Sequence, residues 1–371
     1  MKIAFRADAS LLMGSGHVMR CLTLADALKA KGAECHFIGR EHPGHLLEVI
    51  LQRGFAVTAL PVELPQPSTN TQDARGNVKE ARHAPWLGCD WQTDAQQTRA
   101  ILAILQPDWL VVDHYALDQR WEAALLPHYQ KLLVIDDLAD RHHHCDLLLD
   151  QNLGRQPQDY ARLVPAQCKV LTGPQYALLR PEFAALRPYS LQRRQPPTLK
   201  HLLITMGGVD QLNATSQVLQ ALKTCPLPAD CRITVVMGLQ APWLQQVREQ
   251  AQDMLWPTEV LVNITDMAQR MADSDLAIGA AGSTSWERCC LGLPTLIIVL
   301  AENQQPSAHA LEASHAARLI GAMIDIATQL PLGVRELTDS ACQMQMSHAA
   351  SVITDGHGVE KILTAIGMFN A

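Results

Sequence analysis

A glycine-flanked histidine offers the most chemistry in this chain. An apolar run, Ile3-Ala4-Phe5, ends at Arg6-Ala7-Asp8, and a loop then leads to Gly14-Ser15-Gly16-His17-Val18-Met19-Arg20 at the expected start of a helix. Gly14 and Gly16 let the backbone come close to a ligand, and the free N–H groups of a helix start favour an anionic or polar one. The helix dipole at that end disfavours a charged imidazole, so the position of His17 favours the neutral ring, which can accept a proton near pH 7. This fits general-base activation of a nucleophile. The plainer reading is a histidine that caps or packs against the loop. A dinucleotide fingerprint would need a third glycine where Met19 stands, and the second expected strand ends at Gly39-Arg40 without an acid placed for a ribose. NAD binding is therefore disfavoured, and no cofactor is expected.

Two more strand-to-helix turns carry candidate residues. In Ala280-Ala281-Gly282-Ser283-Thr284-Ser285-Trp286-Glu287, small residues lead into a helix start. Gly282 and Ser283 could hold a diphosphate there, and Glu287 one turn on could accept both hydroxyls of a ribose. The competing reading takes Thr284-x-x-Glu287 as a capping box, in which the carboxylate satisfies a backbone N–H. In Met206-Gly207-Gly208-Val209-Asp210-Gln211-Leu212-Asn213 the glycines Gly207 and Gly208 would add backbone donors for phosphate oxygens. Alone, this segment is only a turn.

These turns need strands behind them. The first half alternates short apolar runs with helix-length stretches: strands are expected at Cys35–Ile38, Ala56–Leu60, Trp109–Asp113, Leu132–Ile135, Leu147–Asp150 and Val170–Gly173, and a helix over His17–Lys31. Continuous apolar strands separated by helices indicate a parallel sheet covered on both faces. The alternation restarts at His201–Met206 and recurs at Ile233–Met237, Val260–Val262, Leu276–Gly279 and Thr295–Val299. The expected fold is α/β, with two Rossmann-like doubly wound domains facing a cleft. The first would span 1–180 and the second 201–371, joined by a Pro- and Arg-rich linker over 181–200. Ligands are then sought at the carboxyl ends of both sheets. The stretch from Gln66 to Ala84 lacks any period and looks like an insertion or long surface loop.

At 371 residues, with a net charge of -7, the chain has length for two cores and no positive field to attract nucleic acid. No secretory signal and no apolar stretch of about 18 residues is present, so membrane insertion is not expected and the cytoplasm is. The ten cysteines form no C-x-x-C pair and read as reduced, mostly core residues, Cys289-Cys290 among them. Arg141-His142-His143-His144-Cys145 invites a metal, but consecutive side chains diverge and no second cluster matches, so a solvated loop is expected. Asp136-Asp137 is read as strand-end and turn acids. No metal is expected.

The motifs taken together resemble a known family. The histidine loop, Val112-Asp113-His114-Tyr115, Ile135-Asp136-Asp137, Leu149-Asp150-Gln151-Asn152, Gly173-Pro174-Gln175-Tyr176-Ala177-Leu178-Leu179-Arg180, Gly207-Gly208-Val209-Asp210 and Gly282-Ser283-Thr284-Ser285-Trp286-Glu287 resemble the UDP-2,4-diacetamido-2,4,6-trideoxy-β-L-altropyranose hydrolases of pseudaminic acid biosynthesis over nearly the whole chain. That family is similar in fold to the GT-B glycosyltransferases. The resemblance implies a UDP-sugar substrate attacked by water, with UDP on the C-terminal domain and the sugar and base on the N-terminal one. Its essential histidine falls on His17, within a matching G-x-G-H-x-x-R that includes Arg20. A tyrosine near the sugar falls on Tyr115, an asparagine near the active site on Asn303 beside Gln304, and the ribose-binding glutamate of related enzymes on Glu287. Backbone groups that read uracil fall at Ile264. The rival readings are a GT-B sugar transferase with an acceptor other than water, a non-catalytic nucleotide-sugar sensor, and a non-hydrolysing epimerase.

Overall fold

The computed structural model describes residues 1–62 and 83–368. The expected insertion at 66–84 lies outside the described residues except for its last two positions. The chain divides into two compact units. Met1–Gln151, Arg155–Thr172 and Ile362–Ala371 make the first, and Asn152–Gly154 and Gly173–Lys361 the second.

In the first unit the described strands are β1 (Lys2–Ala7), β2 (Glu34–Arg40), β3 (Ala56–Leu60), β4 (Trp109–Asp113), β5 (Lys131–Ile135), β6 (Leu147–Asp150) and β7 (Lys169–Thr172). They form one parallel sheet in the order β3-β2-β1-β4-β5-β6-β7. The chain builds outward from β1 to β3, then returns to the other side of β1 with β4. The order therefore reverses between β1 and β4, and the crevice beyond their carboxyl ends is where such sheets bind ligands. His17 follows β1, and Asp113 ends β4. The helix between β1 and β2, Gly16–Ala30, buries Val18, Cys21, Leu22, Leu24, Ala25 and Leu28. Gly32, with φ +84, takes the left-handed conformation that stops it.

The second unit repeats the plan with β8 (His201–Thr205), β9 (Arg232–Met237), β10 (Thr258–Val262), β11 (Leu276–Ala280), β12 (Thr295–Ile298) and β13 (Arg318–Gly321), ordered β10-β9-β8-β11-β12-β13 and all parallel. Its switch point lies between β8 and β11. Leu202, Ile204, Leu276, Ile278, Leu296 and Ile298 pack into one core, while Leu203, Ala277 and Ile297 pack into the other. Alternate residues thus serve opposite faces, and the strands read as unbroken apolar runs because both faces are covered. β13 follows no strand expected from the sequence.

The stretch read as a linker does not act as one. Residues Pro181–Arg193 form a helix of the second unit, with Pro181 in its first turn. A proline there gives up only an N–H that has no intrahelical partner. The arginines that looked like linker composition cap other helices. Arg187 donates to Ser351 O (2.7 Å), and Arg194 to Ser274 O (2.6 Å), Leu291 O (3.2 Å) and Met271 O (3.2 Å). Fork-shaped guanidinium groups satisfy the last carbonyls of those helices. At the other end, the chain from Ile362 onward groups with the first unit. No helix among the described residues is long and apolar enough to cross a membrane.

Buried charge stitches the first sheet to its helices. Asp94, on the helix Trp91–Leu105, accepts from Arg6 Nη2 on β1 (2.7 Å), Arg40 Nη2 at the end of β2 (2.7 Å) and Trp121 Nε1 (2.9 Å). Although burial pushes its carboxyl up, Arg6 and Arg40 outweigh that and hold it below its ordinary value. Asp94→Ala leaves the fully buried Arg40 guanidinium without an ion pair among the described residues and Arg6 with Asp8 alone, and the expected loss of stability is about 3–5 kcal/mol. Urea unfolding of the variant checks this, and a loss below about 1 kcal/mol would show that the network is not stabilising.

Candidate functional site

The loop between β1 and the Gly16–Ala30 helix is fixed by its own backbone. Gly14 N–H donates to Ser10 O (2.8 Å), and Met13 N–H to Ser10 Oγ (2.9 Å). Gly14 has φ +77, which L side chains rarely adopt, and Gly16 is exposed at the helix start. Ser15 precedes the helix without a side-chain cap. His17 is therefore not the cap, and its ring is held from elsewhere.

That hold is Asp113. His17 Nδ1 lies 2.6 Å from Asp113 Oδ1, and Arg20, one turn along the helix, places Nε 2.6 Å from Oδ2 and Nη2 2.7 Å from Oδ1. A carboxylate only accepts, so Nδ1 carries a hydrogen, and in the neutral ring Nε2 is the acceptor. The 3.5 Å between Arg20 Nη2 and His17 Nδ1 separates two donors sharing one oxygen. Nε2 has no hydrogen-bond partner among the described residues. Burial pushes the Asp113 carboxyl up, but Arg20 and then His17 outweigh it and hold it well below its ordinary value, so Asp113 stays an anion.

The network continues to the loop after β5. Arg20 Nη2 sits 2.8 Å from Asp137 Oδ2, and the Tyr115 hydroxyl donates to the same oxygen at 2.6 Å. Burial, with Asp137 adding to it, raises the Tyr115 phenol well above its ordinary value, so it stays protonated. Its ring meets the His17 ring edge-on with centroids 4.6 Å apart. Trp86 stacks on Tyr115 at 5.6 Å and meets His17 edge-on at 6.4 Å, with His83 5.2 Å from Tyr115. One side of the imidazole is thus polar and the other aromatic. Beside it, Asp8 Oδ2 lies 3.3 Å from His114 Nε2, whose hydrogen is fixed because Nδ1 accepts from Ala116 N–H (3.1 Å).

His17, Arg20 and Tyr115 are therefore brought together as expected residues of one site. Asp113, Asp137 and Trp86 join them without having been expected as site residues, Asp137 having been read as a turn acid. Asp113 carried a signal, an acid ending an apolar strand, where a sheet meets its ligands. Trp86 carried none, since no pattern along the chain links it to His17 or Tyr115.

In the second unit, Gly207 and Gly208 form an exposed loop after β8, Ile264 follows β10, Gly282, Ser283 and Glu287 follow β11, and Asn303 and Gln304 follow β12. Every one lies past a strand's carboxyl end. Asn303 is exposed on the short turn Glu302–Gln304. The Gln304 side chain reaches back over Gly282, its Nε2 standing 4.0 Å from where a Cβ would be, while its Oε1 accepts from Leu300 N–H (3.0 Å). After Gly207-Gly208 the amides that open the helix Ala214–Leu222 are taken by Asp210, which accepts from Ala214 N–H (2.8 Å) and Thr215 N–H (2.9 Å). Phosphate donors in that turn would have to be those of the glycines themselves.

The capping box does not form. Ser283 precedes the helix Thr284–Cys290, and the half-buried Glu287 carboxylate has no hydrogen bond or ion pair among the described residues. Burial pushes its carboxyl up to about 7, with Arg180 and Arg288 opposing. Elsewhere, His143 is buried with Nδ1 2.6 Å from Glu122 Oε1, whereas His142 and His144 are exposed. Asp136 is bonded by Arg141 (2.8 Å) and the Tyr160 hydroxyl (2.9 Å), and Cys289 and Cys290 lie in the core. Among the described residues no group of three His, Cys, Asp or Glu side chains is arranged to hold a metal ion.

Comparison with known proteins identifies the fold. Residues 201–362 match the Glycosyltransferase family 28 C-terminal domain. An uncharacterised protein of Methanocaldococcus jannaschii is 25% identical over 82% of this chain, and the chain spans only 56% of that relative's length. The UDP-2,4-diacetamido-2,4,6-trideoxy-β-L-altropyranose hydrolase of Campylobacter jejuni is 25% identical over 83% of this chain and 95% of its own. The crystal structure of Acinetobacter baumannii MurG superposes with a TM-score of 0.67 at 16% identity, covering 99% of both chains. The fold is GT-B-like.

Glu287 yields a pH test. Its folded carboxyl, near 7, binds a proton more tightly than an ordinary one near 4.5, so stability falls as pH rises through that window. Glu287→Gln removes the effect. The melting temperature of the variant relative to wild type should rise from pH 4 to pH 8, and a difference that does not change with pH would rule out a raised carboxyl.

Proposed function

We propose that this protein hydrolyses a UDP-sugar, UDP-2,4-diacetamido-2,4,6-trideoxy-β-L-altropyranose, to UDP and the free sugar, with His17 as general base. The observation that carries the reading is the imidazole itself: Asp113 takes Nδ1–H and leaves Nε2 as the acceptor. The similarity to the Campylobacter jejuni hydrolase supports the substrate.

In the proposed step, water gives its proton to His17 Nε2 as its oxygen bonds to the anomeric carbon. The C1–O bond to UDP breaks, and the diphosphate leaves with the electron pair. Attack from the face opposite UDP inverts the anomeric configuration. The imidazolium that forms is stabilised by the Asp113 anion, which Arg20 holds in place. Tyr115, kept protonated and tied to Asp137, positions the ring. The second unit would bind UDP, with Gly207, Gly208, Gly282 and Ser283 at the diphosphate, Glu287 at the ribose, Ile264 at the uracil and Asn303 and Gln304 near the sugar. A second reading, transfer of the sugar to an acceptor other than water, is favoured by the match of residues 201–362 to the glycosyltransferase domain.

Incubation of the purified chain with UDP-2-acetamido sugars and no acceptor separates the two. UDP release supports hydrolysis, and release only when an acceptor is added supports transfer. His17→Asn should leave UDP affinity nearly unchanged and lower kcat by about 10² to 10⁴, the usual contribution of a positioned base. In ¹⁸O-water the label should appear on the anomeric carbon. Label in the UDP phosphate would mean attack at phosphorus and end the role given to His17.

Asp113→Asn should also lower kcat steeply, by up to about 10⁴, because an amide can donate to Nδ1 and so favour the wrong tautomer. Its KM should change far less. Unchanged kcat would show that Asp113 does not set the ring.

A further inference from the structure

The second unit buries two arginines that have no carboxylate within ion-pair distance among the described residues, Arg194 at 5% and Arg288 at 1% exposure. A buried cation is costly unless something balances it. For Arg194 the balance is on the page. It donates to the carbonyls of Met271 and Ser274, at the end of the helix Met267–Asp273, and to that of Leu291, at the end of the helix Thr284–Cys290. Helix carboxyl ends carry partial negative charge and favour a cation.

Arg288 sits at the opposite kind of place. Its Nη2 donates to Ala280 O (2.8 Å), the last residue of β11, and to Ser285 Oγ (2.9 Å), while Nη1 reaches Thr284 Oγ1 (3.3 Å). The guanidinium therefore spans the turn Ala281-Gly282-Ser283 from beneath, at the amino end of its own helix. That end is partially positive and repels a cation. Nε is sealed from solvent with no protein partner. The strand makes room for the group at Gly279, where a Cβ would stand 2.4 Å from Nη1 and 3.0 Å from Thr205 O. Two positive features converge under one turn, and Glu287, the acid in that first turn, forms no ion pair with Arg288.

We infer that Arg288 is the fixed countercharge for a diphosphate bound over the Ala281-Gly282-Ser283 turn, acting as a positioning residue through the turn it holds. The inference rests on the reading of this unit as the UDP site and adds a residue to it. Arg288 need not touch the ligand, since the interior screens its field poorly.

The test is calorimetric titration of the full chain with UDP, pyrophosphate and uridine, in wild type, R288M and R288K. R288M should weaken UDP and pyrophosphate by roughly 10- to 100-fold and leave uridine unchanged. R288K, which keeps the charge, should lose less. R288M that binds UDP as tightly as wild type overturns the proposal. So does a parallel loss of uridine, which would mean the turn has collapsed, or R288K as weak as R288M, which would mean that the fork and not the charge matters. If wild type binds pyrophosphate but not UDP, the nucleotide reading fails, and the pyrophosphate arm alone decides Arg288. If wild type binds neither, both fall.

Discussion

A carboxylate taken out of water must be met by charge or by donors, and Asp113 is met by both. It ends β4, next to β1 at the point where strand order reverses, and it has no exposure to solvent. Arg20 covers both of its oxygens, and the hydrogen of His17 Nδ1 shares one of them. Satisfying this one anion therefore sets the rotamer of Arg20, the tautomer of His17 and the direction of Nε2. Arg20 then reaches Asp137, and Asp137 takes the Tyr115 hydroxyl. The helix Gly16–Ala30, the end of β4 and the loop after β5 are tied together by a chain of charge-assisted bonds that begins at Asp113.

The same device recurs behind the site. Arg6, Asp8, Arg40 and Asp94 are all buried, and Asp8 accepts from Arg6 Nη1 (2.7 Å) and from Arg40 N–H (2.7 Å). These groups sit on β1, at the end of β2, on the loop between β1 and its helix, and on the Trp91–Leu105 helix. Such a network stabilises little relative to an apolar core, but it is severe on any arrangement that leaves one member unpaired. It holds the carboxyl edge of the sheet in a single geometry.

The second unit meets its charge with helix ends, backbone and ion pairs such as Arg193 with Asp275 (2.8 Å). Asp210 caps the helix that follows β8, and Arg187 and Arg194 close helices at their carboxyl ends. Glu287 and Arg288, neighbours on one short helix, are the exceptions. Neither has an ion-pair partner among the described residues, burial pushes the Glu287 carboxyl up to about 7, and burial pulls the Arg288 guanidinium down to about 10. An acid and a base shifted toward neutrality side by side mark a place that the fold does not satisfy by itself.

Much of this was legible in the sequence, because period and composition are local. Unbroken apolar runs fixed the class of both sheets, and strands such as Trp109–Asp113 fall where they were expected. Glycines before His17 and Glu287 marked turns past strand ends, where backbone at close approach or positive φ favours glycine. The Pro- and Arg-rich stretch at 181–200 misled for the same reason: composition alone does not show that Arg187 and Arg194 have helix carbonyls to cap. His17 meets Asp113 96 residues away, and Arg20 meets Asp137 farther still. No pattern along the chain pairs them, because strand order, set by burying both sheet faces at once, brings β1, β4 and β5 side by side. The sequence determined which residues could do chemistry, and only tertiary packing decided which nitrogen of His17 is free to do it.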